Sequence, residues 1–288
     1  MPSINHLLDE VIASVFAALP LEERHKSAPL VCRRWEHLCN SAPQLLRCIG
    51  FSVPGSEHGA RRLSGFCAWL LQHGVGRVQR LSFEVWLPED TAPAAVVQQL
   101  SMPLVAAVSA CGAAGSLRAL RLHGLLAQPS MWVHAMRSLQ QLDLSVKGML
   151  EEEWHPAPSA LASLGELSLR GVGVTAQAPL PASLTKLHLD LDGHPENIPL
   201  PAKLSTLTRL HTLSLEFAFS DQGLSALASL KTNLRRLALL HCAEWPACLS
   251  ELTLLNSLIL EDGNFFLRDP QASAAAAAWS DWLLPTSW

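Results

Sequence analysis

Leucines in the second half of the chain fall in a repeated phrase: leucine, two residues, leucine, one residue, leucine. From Ser116 onward it recurs as Leu117/Leu120/Leu122, Leu139/Leu142/Leu144, Leu164/Leu167/Leu169, Leu184/Leu187/Leu189, Leu210/Leu213/Leu215, Leu234/Leu237/Leu239 and Leu255/Leu258/Leu260. A weaker copy stands at Val78/Leu81/Phe83. From Leu120 on, the middle positions are spaced by 22, 25, 20, 26, 24 and 21 residues, whereas 39 separate Leu81 from Leu120. Two apolar residues at i and i+2 share one face of an extended strand, and the residue between them points the other way. One strand cannot bury such a face alone, so the copies must stack into a parallel sheet over a common leucine core.

The long 39-residue step contains TAPAAVVQQLSMPLVAAVSACG, which predicts a helix pair broken at Pro103. The connector from Asp221 to Leu230 predicts a short helix with an acidic start, and those at 180–187 and 200–210 place proline near the start of a three-residue apolar rhythm. Over about residues 76–264 the chain resembles the leucine-rich repeat family. The resemblance implies about eight repeats in a curved solenoid with a parallel sheet on its concave wall. The family's Asn or Cys, three places after the last strand leucine, is matched only by Cys242; Leu125, Lys147, Val172, Asp192, Ala218 and Gly263 stand at the other positions. An irregular arc without an asparagine ladder is therefore expected.

Residues 4–46 have a helical rhythm instead. Leu8, Ile12, Val15, Phe16 and Leu19 fall at three- and four-residue spacings, as do Leu30, Val31, Trp35 and Leu38. Pro20 and Pro29 divide the run, which predicts three short helices, the third beginning at Pro29. The series Leu7, Asp9, Glu10, Val15, Phe16, Leu19, Leu21, Glu22, then Val31, Cys32, Arg33, Arg34 and Trp35 resembles an F-box, with Leu8 where that family usually has proline. The resemblance implies docking on the Skp-type adaptor of cullin-based ubiquitin ligases. It assigns Leu7, Leu8, Val15, Phe16, Leu19, Leu30, Val31 and Trp35 as apolar contacts or the support behind them.

The expected class is α/β: a three-helix F-box-like module at 1–48, a linker at 49–75, the repeat domain at 76–264 and an Ala/Trp-rich tail at 265–288. In the linker, Leu63, Phe66, Leu70 and Leu71 would share one face of an amphipathic helix. The tail, with Trp279, Trp282 and Leu283 on one side of an alanine-rich stretch, is either a cap over the last repeat or a low-complexity terminus.

Composition narrows the partners. A formal charge of −4 with pI near 6.3 gives no electrostatic pull toward nucleic acid or an acidic membrane. No apolar run reaches the roughly 18 residues that span a bilayer. Asp9 and Glu10 interrupt any leader-like start. Seven cysteines, an odd number, with no pair two residues apart and no Asn-x-Ser/Thr acceptor, lead us to expect a reducing cytoplasmic or nuclear address.

Residues with the potential for chemistry do not complete a known constellation. Cys32 and Cys39, two turns apart on the expected helix, lack a second ligand pair, as do His241, Cys242 and Cys248. GSEHG (55–59) lacks the central serine of a nucleophile elbow, and GVGRVQ (74–79) precedes a strand and lacks a third glycine. Glu151 to Glu153 read as a solvated turn. No enzyme, cofactor or metal is expected.

The residues alternating with the strand leucines form mixed-sign ladders, which suits a protein partner better than a polyanion. Arg121, His123, Asp143, Arg170, His188, Asp190, Glu216, Leu240 and Ile259 are the expected substrate contacts on the concave face. Ala238, Leu240 and Ile259 would make a small apolar anchor there. The expectation is a non-catalytic substrate receptor holding an unidentified protein for ubiquitin transfer. The alternative is a repeat scaffold, cytoskeletal or axonemal, without a ligase role.

Overall fold

The computed structural model describes residues 7–19, 24, 27–86, 94–124, 132–146, 161–172, 174, 179–190, 202–216, 225–240 and 247–261. The fold is α/β, with parallel strands. The chain divides into two compact units, 1–121 and 122–288.

In the first unit, α1 (Asp9–Ala17) turns Ile12, Ala13 and Phe16 into a small core shared with Ala28, Leu38, Cys39, Ala42 and Leu45. The acidic pair Asp9 and Glu10 fills its first turn, where unpaired backbone N–H groups favour negative charge. Arg34 closes the same end from outside, pairing with Asp9 at 2.5 Å and donating to the Leu7 carbonyl at 2.6 Å. Two further helices follow, α2 (Arg33–Ser41) and α3 (Pro43–Arg47).

The third helix does not begin at Pro29. Ala28–Leu30 form one tight 3-10 turn, with Leu30 N–H donating to Ser27 and Val31 N–H to Ala28. Cys32 is then fully extended (φ −165°, ψ 163°), so α2 starts anew at Arg33. Cys32 therefore stands outside the helix that was expected to carry it beside Cys39.

The stretch expected as a linker opens with a strand. β1 (Cys48–Pro54) pairs in parallel with β2 (Arg80–Trp86), setting Ile49 opposite Leu81 and Phe51 opposite Phe83. Between them α4 (Glu57–Trp69) packs Leu63, Phe66 and Cys67 inward, and Leu70 is buried while Leu71 is exposed. Phe51 lies flat on Phe66, centroids 4.2 Å apart and planes 8° apart. GSEHG is the start of this helix: the Ser56 hydroxyl caps it by accepting from Gly59 N–H at 3.2 Å. A Cβ on Gly59 would stand 1.9 Å from the Pro54 carbonyl oxygen, so only glycine lets the strand turn so closely into the helix.

The expected break at Pro103 is absent. α5 (Ala94–Ala113) runs through it as one helix. A proline in a helix interior costs about 3 kcal/mol. Leu100, Leu104, Ala107, Val108 and Cys111, all buried on this helix, supply the packing that offsets it. β3 (Ala119–His123) follows.

The second unit carries β4 (Gln141–Ser145), β5 (Glu166–Arg170), β6 (Lys186–Asp190), β7 (Thr212–Glu216), β8 (Arg236–Leu240) and β9 (Ser257–Glu261). Each pairs in parallel with the next, repeat on repeat: Leu142, Leu167, Leu187, Leu213, Leu237 and Leu258 form one register line, and Leu144 to Leu260 another. From Leu139 to Leu239 every leucine of the phrase is at most 2% exposed. The connectors turn as short 3-10 helices at Ala202–Thr206, Ser225–Leu230 and Ala247–Glu251; the second lies within the stretch expected as a short helix, whose residues 221–224 fall outside the described residues. At β9 the burial ends: Leu258 is 44% and Leu260 40% exposed. Residues 265–288, Glu151 to Glu153, His241 and Cys242 lie outside the described residues.

Candidate functional site

Helix α1 is apolar on two sides. Ile12, Ala13 and Phe16 face the core, while Leu8, Val11 and Val15, spaced three and four residues apart, are 70%, 44% and 51% exposed. Leu7 and Leu19 extend this exposed set beyond the helix ends, and Leu30 and Val31 add two more exposed aliphatics from the 3-10 turn. Of the eight residues expected to meet an adaptor, six are therefore open to solvent. Phe16 is buried, and Trp35 meets it edge-on, ring centroids 4.9 Å apart, as the support behind that surface. Val11 belongs to the same exposed side and was missed, although its three- and four-residue spacing from Leu8 and Val15 is in the sequence.

A buried cation holds this surface in place. Arg24 donates from Nε to the Phe16 carbonyl at 3.0 Å and from its two terminal nitrogens to Leu45 at 3.1 Å, Ala17 at 3.2 Å and Leu19 at 3.0 Å. Two of these carbonyls, Phe16 and Ala17, end α1, where the last C=O groups carry partial negative charge, and the third, Leu19, lies just past its C-cap. The fourth belongs to α3, so one guanidinium ties the two helices together. Burial draws its pKa below the ordinary value, yet an arginine remains protonated in such a setting. Its backbone carbonyl in turn accepts the Cys39 thiol at 3.2 Å.

On the polar side of the second unit's sheet the side chains are joined across strands. Gln141 donates to Glu166 at 3.0 Å, and Lys186 pairs with the other oxygen of Glu166 at 2.8 Å. His123 Nε2 lies 3.0 Å from Asp143. The middle row, Asp143, Ser168, His188, Ser214 and Ala238, is buried. Of the expected substrate contacts, Arg121, His123, Arg170, Asp190, Glu216 and Ile259 are half-buried, whereas Asp143, His188 and Leu240 are buried. The proposed apolar anchor accordingly keeps only Ile259 at the surface.

His188 is the unusual member of that row. It is 4% exposed, and neither ring nitrogen has a hydrogen-bond partner. Burial, reinforced by the Arg170 charge and opposed by that of Asp143, pushes its pKa down to about 3, so the imidazole is neutral at physiological pH.

The cysteines differ in the same electrostatic sense. Burial raises the Cys67 thiol to about 12, helped by Cys111, and raises Cys111 to about 11. Cys48 is exposed. Because the thiolate is the nucleophile, iodoacetamide at pH 8 should label Cys48 in the native chain about a hundredfold faster than Cys67 or Cys111. Peptide mapping of a labelling time course reads this out, and equal rates would show that the two helices open freely.

Among the described residues, no helix is long and apolar enough to cross a membrane. The chain matches no protein-family model and no curated protein.

Proposed function

We propose that the chain is a non-catalytic substrate receptor of a cullin-based ubiquitin ligase, docking through its N-terminal helices on a Skp-type adaptor and presenting its repeats to a protein substrate. The observation that carries this reading is the second apolar side of α1, with Leu8, Val11 and Val15 exposed together with Leu30 and Val31. A surface helix ordinarily keeps one apolar stripe for its own core and a polar one for water. A helix with two such stripes has a use for the second, and laying an amphipathic helix into an apolar groove is a recurrent recognition mode.

On this reading the repeat unit is a leucine-rich repeat solenoid, and its half-buried polar rows, Arg170, Asp190 and Glu216 among them, meet the substrate. Catalysis lies with the other subunits. The receptor's contribution is to raise the local concentration of a substrate lysine near the charged ubiquitin carrier.

The test is co-purification with a Skp-type adaptor and cullin. The wild-type chain should retain the adaptor, and a Val15→Glu/Leu30→Glu variant should lose it by more than about a hundredfold, since each buried aliphatic contact contributes about 1.5–3 kcal/mol. Both side chains are exposed, so circular dichroism should show an unchanged fold. A folded wild-type chain that retains no adaptor would sink the proposal; sedimentation with cytoskeletal filaments in its place would favour a scaffold.

A further inference from the structure

We propose that His188, Asp190 and Glu216 form a binding site for a divalent transition-metal ion of the zinc class on the polar side of the sheet. One ligand atom from each lies within 4.8 Å of the other two. The register places them there: His188 and Asp190 stand two residues apart on one side of β6, and Asp190 sits directly opposite Glu216 on β7. Ligands around a tetrahedral ion at about 2.0–2.2 Å lie about 3.4 Å from one another, so side-chain rotations of about an ångström close the site.

Two carboxylates near each other would not by themselves indicate an ion. The imidazole does. His188 is 4% exposed and both of its ring nitrogens lack a hydrogen-bond partner. A neutral imidazole has one donor and one acceptor, and leaving either buried and unmet is unfavourable. A metal ion satisfies the acceptor nitrogen directly. One ring nitrogen of His188 stands beside the Asp190 and Glu216 carboxylates, within the spacing a single ion can bridge.

The surrounding charge has the right sign. Asp143, Asp190 and Glu216 are carboxylates, and the guanidinium of Arg170 is the register partner of Asp190. Asp143, whose charge acts on His188, has the sign that the remaining N–H of a metal-bound imidazole commonly meets. One nitrogen with two carboxylates selects zinc, cobalt or manganese over magnesium and calcium, which prefer all-oxygen shells.

The full-length chain is titrated with Co²⁺ in the absence of other metals, then with Zn²⁺ and Mg²⁺ as competitors. One equivalent of Co²⁺ should bind with visible d–d absorption, be displaced by Zn²⁺ and resist Mg²⁺. The nearly isosteric variants Asp190→Asn and Glu216→Gln should each weaken binding at least tenfold, and His188→Gln should abolish it. X-ray absorption of the zinc-loaded wild-type chain, which does not depend on any variant, should show a nitrogen and oxygen shell without sulfur. No uptake, uptake through sulfur alone, or an Asp190→Asn/Glu216→Gln variant that binds as tightly as wild type would each overturn the site. All of these readings are independent of adaptor binding.

Discussion

Leu213→Ala should lower the stability of the repeat unit by about 3–5 kcal/mol, the cost of truncating a fully buried leucine and leaving a cavity behind. Leu213 is 0% exposed and lies in register between Leu187 and Leu237, so the void has leucine walls on both neighbouring strands. The same substitution at Leu258, in the same place in its phrase but 44% exposed on β9, should cost less than about 1 kcal/mol. Urea denaturation followed by circular dichroism compares the two. Equal losses would mean that position in the phrase, and not burial, sets the energy.

Arg24→Met should destabilise the N-terminal helices by about 3–5 kcal/mol. The replacement keeps the aliphatic stem but removes the donors for the carbonyls of Phe16, Ala17, Leu19 and Leu45, stranding polar groups where water is scarce. Arg24→Lys should recover only a minor part, because three donors on one nitrogen cannot span carbonyls from two helices. Amide hydrogen exchange over residues 9–17 gives the readout. Protection should fall sharply there while the strands of the repeat unit remain protected, and an unchanged exchange pattern would show that α1 does not depend on the guanidinium. Under the docking reading, the same variant also loses adaptor binding without touching the contact surface.

The repeats were legible because the leucine phrase is a period-two signal repeated at near-constant intervals, and no single helix can imitate it. β1 escaped notice although Leu46, Ile49 and Phe51 spell the same phrase, with leucine retained only in the first place. Reading the positions as apolar shape instead of as leucine would have found it. Pro103 misled because local propensity was weighed without the buried residues of α5 that keep the helix continuous past it. Pro29 misled in the opposite direction, since a proline compatible with a helix start also suits a single tight turn.

The exposed apolar set of α1 was largely visible from spacing, but which of its members face water was not. Phe16 and Val15 are adjacent and equally apolar, and only tertiary packing buries the first and exposes the second. Arg24 left no signal at all: its role depends on carbonyls from helices that meet only after folding. The His188 group was hidden for a related reason. Asp190 and Glu216 are separated by a full repeat in sequence, and only strand register makes them neighbours.

From Leu142 to Leu258 the intervals between repeats range from 20 to 26 residues, yet neighbouring strands still meet residue for residue. All of the length variation is therefore taken up by the connectors. A genetic duplication or deletion of one strand with its connector would leave every remaining leucine on its line, so such a chain can lengthen or shorten in whole repeats over evolutionary time without redesigning its core.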